Sequence, residues 1–313
     1  MTRSFNARTG LAAIARALGG ETYDAGRRAL VPAPGHGPAD RSVSLRLVGD
    51  RLLAHSFGAA DWREVFDDLR ARGWIDADHR LCGAGGATPA GAGDPAPPDP
   101  TRAERVRAAR ALWASGTAVG ADSPAGRHCV ARGVDLALDT LGALRAGAAV
   151  PLGVYRDRGP RLPALLAGVS GPDGALTAVE VTYLDARGAR SRLARPSRKL
   201  VGTLPAGSAV RLAQPAAAML VAEGVFTTLS AMMRFGLPGW ALLSTSNLRR
   251  WRAPSGVRRV LIAGDRGADG ERSAGVLSAA LVAQGVDAEV TLPPPGAGDW
   301  NDLLCAEKAE EGT

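Results

Sequence analysis

Three acids in the last third of the chain have the types and spacing for metal-assisted phosphate chemistry. Glu223 stands in AAAMLVAEGVFTTLSAMMRFG, Asp265 in RRVLIAGDRGADGERSAGVLSAALVAQG, and Asp299 in AEVTLPPPGAGDWNDLL. Each follows a short apolar run of Val, Leu, Ile and Ala, the composition of a strand buried on both faces. In an open parallel sheet, polar groups at the carboxyl ends of strands gather in one crevice. Carboxylates gathered there repel one another and cost stability unless a cation or cationic substrate lies between them. Hard oxygen ligands of this kind suit magnesium or manganese.

Taken singly, these residues have plainer uses. A lone Glu at a strand end is usually solvated. Asp265 reads equally as a helix N-cap, and Asp269 and Glu271 as solvated first-turn residues. Asp299, Asn301 and Asp302 stand together in GDWNDLL. Capping the helix that follows occupies one of them but hardly all three. Gly224 is expected to free the backbone for a sharp turn or a close approach to phosphate. A helix starting after Asp265 would add an N-terminus that favours phosphate.

The elements that must hold these acids alternate strand and helix from Ala217 onward. Upstream, residues 153–211 read as β-rich, with a turn at Gly171-Pro172-Asp173-Gly174, and end in the basic segment GARSRLARPSRKLVG. A helix opens at Thr101, with Glu104 spaced for a capping box. The stretch 81–100, almost all Gly, Ala and Pro, cannot bury enough apolar surface to fold and reads as a linker. Before it lies a small module: a helix over residues 6–19, a hairpin of Ser42–Leu47 and Arg51–Phe57 about Gly49-Asp50, and a helix opened by Asp61. The expected division is 1–80, linker 81–100, 101–214, 215–305 and a tail 306–313.

The chain has 313 residues and a net charge of +7, largely from arginine. That excess favours a polyanionic partner, although arginine-rich codon usage produces the same excess. Cys82, Cys129 and Cys305 form no CxxC pair, so neither a disulfide framework nor a zinc site is indicated. No apolar run approaches the ~20 residues of a membrane span, so a cytoplasmic protein without membrane contact is expected. No Walker A motif occurs, which leaves any helicase motor to a separate protein.

AEGVFTTLSA, then VLIAGDRGADGERSA, then GDWNDLL together resemble a Toprim domain, the α/β module shared by topoisomerases and primases. Their order is similar to that of bacterial-type primases and the primase-helicases of phages and mobile elements. The resemblance implies a Rossmann-like, mostly parallel α/β sheet preceded by an α+β segment. It also implies catalytic roles for Glu223, Asp265 and Asp299, with metal held by Asp265, Asp299, Asp269 and Glu223. Asn301, Asp302 and Glu271 are further candidates. One departure stands out: the second acid of the family's DxD is Gly267 here, and Asp269 or Glu271 would have to supply the missing oxygen. VPAPGHGPADRSVSLRL resembles, more faintly, the zinc ribbon that precedes such primases. His36 and His55 alone cannot complete a four-ligand zinc site, so no zinc is expected. Arg195, Arg198 and Lys199 fall in the segment that lines the template groove of this family. The function implied is a nucleotidyltransferase of a phage, plasmid or integrated element. It would make primers from nucleoside triphosphates on single-stranded DNA, alongside a separate replicative helicase. A Toprim nuclease and a non-catalytic nucleic-acid-binding protein are the alternatives.

Overall fold

The structure is a computed structural model that describes residues 10–23, 26–37, 40–56, 62–82, 100–155, 158–194 and 196–311. Residues 6–9, Phe57, Asp61, most of the expected linker, Arg195 and the last two residues of the expected tail lie outside these. The chain divides into two compact units, Met1–Pro98 and Asp99–Thr313.

In the first unit, helix α1 (Leu11–Ala17) precedes strands β1 (Glu21–Tyr23), β2 (Arg28–Val31), β3 (Val43–Val48) and β4 (Arg51–Ser56), and helix α2 (Trp62–Ala71) follows. The strands form one antiparallel sheet in chain order. The expected hairpin is β3–β4, turning at Gly49 with φ +63°. The sequence reading missed β1 and β2, because Gly26 and the glycine-proline stretch after Val31 obscure two short strands. Alternation in β2 and β3 sends Ala29, Val31, Val43 and Leu45 inward against Leu11, Ile14, Val65, Phe66 and Leu69. His36 lies 3.2 Å from Asp40. Asp40 closes this loop by accepting hydrogen bonds from the Ala33 and Ser42 amides at 2.9 and 3.0 Å.

The second unit opens with α3 (Arg102–Ala114), capped as its sequence requires. Glu104 N–H donates to Thr101 Oγ1, and Thr101 N–H donates to Glu104 Oε2. Helix α4 (Pro124–Ala131) leads to an antiparallel sheet in chain order: β5 (Leu144–Gly153), β6 (Arg158–Ser170), β7 (Leu176–Tyr183) and β8 (Arg198–Gly202). The two faces of this sheet bury different partners. Leu166, Val179, Val181 and Tyr183 pack under Ala109 and Leu112 of α3. Leu165, Ala167 and Ala178 pack on the other side with Val210, Leu212, Val225, Leu229 and Ala241 of the C-terminal part. The second face thus looks onto the strand–helix region that carries the acids.

That region comprises β9 (Val210–Arg211), β10 (Ala218–Ala222), α5 (Val225–Phe235), β11 (Gly239–Ala241), α6 (Thr245–Leu248), β12 (Arg259–Ala263), α7 (Ala268–Val282), β13 (Asp287–Thr291) and α8 (Trp300–Glu311). Its sheet runs β13-β12-β10-β11-β9, parallel except for β9. Val221, Val260 and Ile262 bury against Leu277 and Leu281 of α7. Leu220, Ala222, Leu261 and Ala263 bury on the opposite face with Ala231 of α5 and Trp300 of α8. Central β10 and β12 are apolar on both faces for this reason. β13 departs from the expectation of a doubly buried strand: it is an edge strand with Asp287, Glu289 and Val290 exposed.

Candidate active site

β10 and β12 are neighbours in the parallel ladder, with Ala222 opposite Ala263. Glu223 follows the first of this pair directly, and Asp265 follows the second across Gly264, so both acids leave the sheet at one end. Asp299 arrives differently. A loop after β13 brings it back, pinned beside Asp265 by Arg266, whose N–H donates to Gly298 O at 2.8 Å and whose Nε donates to Pro293 O at 2.6 Å. The three acids are therefore gathered, although only two of them sit at strand ends.

Their electrostatics are those of a shared pocket. Burial pushes Asp265 up to about 7, with the charges of Glu223, Asp299 and Asp302 adding to the rise. Glu223 is raised as well, by burial first and then by Asp269, while Arg198, Arg249 and a hydrogen bond from the Thr245 amide pull it back. Oδ1 of Asp265 is buried with no hydrogen-bond partner. A buried, orphaned carboxylate oxygen facing other acids is unstable by itself and fits an oxygen-preferring cation. Among the described residues, no group of three or more His, Cys, Asp or Glu side chains is placed to hold a metal ion. The acids stand near enough to repel, and side-chain rotation would be needed for several to share one ion.

The remaining candidates have other partners. Asp269 is ion-paired with Arg249, which also donates to Ser273 Oγ at 3.0 Å, so Asp269 is a compensated acid. Glu271 Oε1 accepts the Gly267 amide at 3.2 Å and caps α7. Asp299 Oδ1 accepts the amides of both Asn301 and Asp302, at 2.7 and 2.8 Å, and caps α8. Those bonds leave its second oxygen for other use. Asn301 is fully buried and acts as a clamp, its Nδ2 donating to Arg132 O at 2.7 Å and to Ser230 Oγ at 3.0 Å. Asp302 is exposed in the first turn of α8, and its charge is felt at Asp265.

The glycines also sort differently from expectation. Gly224 has φ −88°, extended backbone that any residue adopts, so no special turn occurs there. Gly267 has φ +119° and ψ 153°, a conformation essentially restricted to glycine. The DxD position is thus built around a residue without a side chain. Gly270 is needed for space, since a Cβ there would stand 2.6 Å from the Asp265 carbonyl oxygen.

The basic segment divides by strand alternation. Arg198 is exposed, lies opposite Thr182 of β7, and its charge reaches both Glu223 and Asp265. Lys199 points the other way: its ammonium donates to Leu152 O, sits 4.8 Å from the Tyr183 ring centroid, and is pulled down to about 8 by burial. That placement withdraws Lys199 from the groups offered to a phosphate. Near Arg198 stand Glu180, which sequence reasoning passed over, and Arg190, read only as part of the basic segment; His128 was also passed over. Glu180 on β7 and Arg190 in the loop after it interact with Arg198. His128 of α4 is 5% exposed, its Nδ1 on Gly188 O at 2.8 Å and its Nε2 without a partner. The available signal was a Glu in the otherwise apolar strand LTAVEVTY.

Residues 218–310 match the model of the Toprim domain. This segment is a Toprim domain. Residues 103–212 match a domain of unknown function, DUF7146. No curated protein matches the chain. Among solved structures, the zinc-binding and RNA polymerase domains of the Aquifex aeolicus primase are 13% identical, over 97% of this chain and 81% of that one, with a TM-score of 0.42. The primase fragment of the bacteriophage T7 primase-helicase is 13% identical over 59% and 67%, with a TM-score of 0.39. The E. coli primase catalytic core is 14% identical over 67% and 78%, with a TM-score of 0.42. Glu223 and Asp265 stand at the end of the Toprim sheet, and the DUF7146 segment supplies Arg198, whose charge reaches both, with Glu180 and Arg190 interacting with it in turn. Among the described residues, no helix is long and apolar enough to cross a membrane.

Proposed function

We propose that this protein is a primase-like nucleotidyltransferase that joins nucleotides on a single-stranded DNA template, with magnesium or manganese at the Toprim acids. The observation that carries this reading is the buried, partnerless Asp265 oxygen inside the Toprim domain, flanked by Glu223 and Asp299 and faced by Arg198. A divalent cation there supplies charge neutralisation for a phosphoryl group and lowers the barrier to attack on phosphorus. Asp265, with Glu223 and Asp299 beside it, would hold that cation.

The chain's own residues account for the rest. Glu223 is kept above the ordinary carboxylate range by its surroundings, which suits a group that accepts a proton from an attacking hydroxyl. Arg198 and Arg190 lie on the opposite wall and attract phosphates of a nucleotide or template, with an affinity that weakens as salt rises. Nucleoside triphosphates and single-stranded DNA are the ligands expected, and a separate helicase is the expected partner.

A second reading, a nucleic-acid-binding Toprim protein without catalysis, is favoured by one observation. Position 267 bears no carboxylate, and its neighbours Asp269 and Glu271 are engaged by Arg249 and the α7 cap. An assay with single-stranded DNA, labelled ribonucleotides or deoxyribonucleotides, and magnesium or manganese separates the possibilities. Primer products abolished by Asp265→Asn support synthesis. Shortened DNA indicates a nuclease, and bound but unaltered DNA the non-catalytic protein.

A further inference from the structure

Arg198 stands between two sets of acids. On the Toprim side its charge acts on Glu223 and Asp265. On its own sheet it meets Glu180, with 3.9 Å between Arg198 Nε and Glu180 Oε2. Strand pairing explains that second contact: Arg198 lies opposite Thr182, and Glu180 is two residues back along β7 on the same face. This is the face that packs towards the Toprim domain through Ala178.

The two partners are unequal. The Glu180 side chain is only 15% exposed, whereas Arg198 is 54% exposed. At 3.9 Å the pair is an ion pair too long for a hydrogen bond, so the guanidinium is not locked in place. Burial works against the Glu180 charge, and Arg198 and Arg190 are the cations that offset it. Arg198 is therefore a loosely held, largely exposed cation whose charge reaches carboxylates on both walls of the crevice. A divalent ion at the Toprim acids would repel it, and Glu180, 3.9 Å away, is the carboxylate at hand to take it up.

We propose that Glu180 is a positioning residue that receives the Arg198 guanidinium when a divalent cation occupies the Glu223–Asp265 cluster. The inference rests on reading that cluster as a cation site. Glu180 thereby keeps Arg198 from competing with the metal and holds it at the crevice wall, facing the position an anionic ligand would take.

The test is manganese binding by the full chain, followed by electron paramagnetic resonance, for wild type, Glu180→Gln, Arg198→Gln and the double variant. One unit charge a few ångströms from the ion predicts that Arg198→Gln tightens binding by roughly five- to tenfold; Glu180→Gln, which frees the guanidinium to return towards the ion, should weaken it by a similar factor. In the Arg198→Gln background, Glu180→Gln should change nothing, and Arg198→Lys should restore the dependence on Glu180. A Glu180→Gln effect of equal size in both backgrounds, or none in either, overturns the proposal. A crystal structure of metal-free Glu180→Gln decides it independently. There the guanidinium should be found turned towards Glu223, and an unmoved Arg198 sinks the idea even if wild type binds no manganese. Retention of manganese by Asp265→Asn would instead sink the cation-site reading, with the crystal result still judging Glu180.

Discussion

Glu223 and Asp265 leave the sheet side by side, because the last residues of their strands, Ala222 and Ala263, are partners in the parallel ladder. Everything proposed for the site follows from that adjacency. Two acids from distant sequence are delivered to one partly buried place, where the Glu223 charge adds to the cost of charging Asp265.

Asp265 is an acid whose folded value, about 7, lies above its ordinary 3.8. The stability tied to this group is fully present below about 3.8, where folded and unfolded chains are both protonated, and is lost as pH rises from there through about 7. In EDTA, Asp265→Asn should therefore melt above wild type at pH 8, by on the order of 2 kcal/mol, and close to it at pH 4. Thermal melts at the two pH values check this. An equal difference at both would remove the repulsion ascribed to the cluster.

Restoring the family's second DxD acid should fail. Gly267→Asp places a side chain on backbone with φ +119°, at a cost of about 1–3 kcal/mol. The variant should unfold earlier in urea and bind no additional manganese. A stable variant with doubled manganese stoichiometry would show that the loop adapts.

Asn301→Ala should behave as a structural lesion. It removes both Nδ2 bonds and leaves the Arg132 carbonyl and the Ser230 hydroxyl short of a buried partner, about 2–3 kcal/mol in all. A fall in the urea midpoint without a separate loss of manganese affinity is expected. The reverse pattern would make Asn301 a ligand.

Neighbouring basic residues should part company in DNA binding. Arg198→Ala is expected to lower single-stranded DNA affinity and reduce the salt slope by about one phosphate contact. Lys199→Met should leave the slope unchanged, since its ammonium is spent on Leu152 O. Fluorescence anisotropy across a salt series distinguishes the two.

Much of this was legible because it is local. The Thr101–Glu104 capping box, the β3–β4 hairpin and the turn Gly171–Gly174 are each set by a few adjacent residues, and all three form as read. Apolar runs ending in Glu223 and Asp265 announced strands whose ends meet. β1 and β2 were not legible, since strands of three and four residues carry too little periodicity to stand out.

By itself, the order of residues determined the strand–helix alternation of the Toprim segment and the acids that could meet there. Hydrophobic period and the acid–glycine spacing are properties of the chain alone. Only the tertiary structure decided how each acid is used. It assigned Asp269 to Arg249, Glu271 to the α7 cap and Asn301 to a clamp, and it brought Glu180 to Arg198. The physical reason is that hydrogen bonds and ion pairs form with whatever packing brings near, and in this crevice the partners come from segments far apart in sequence.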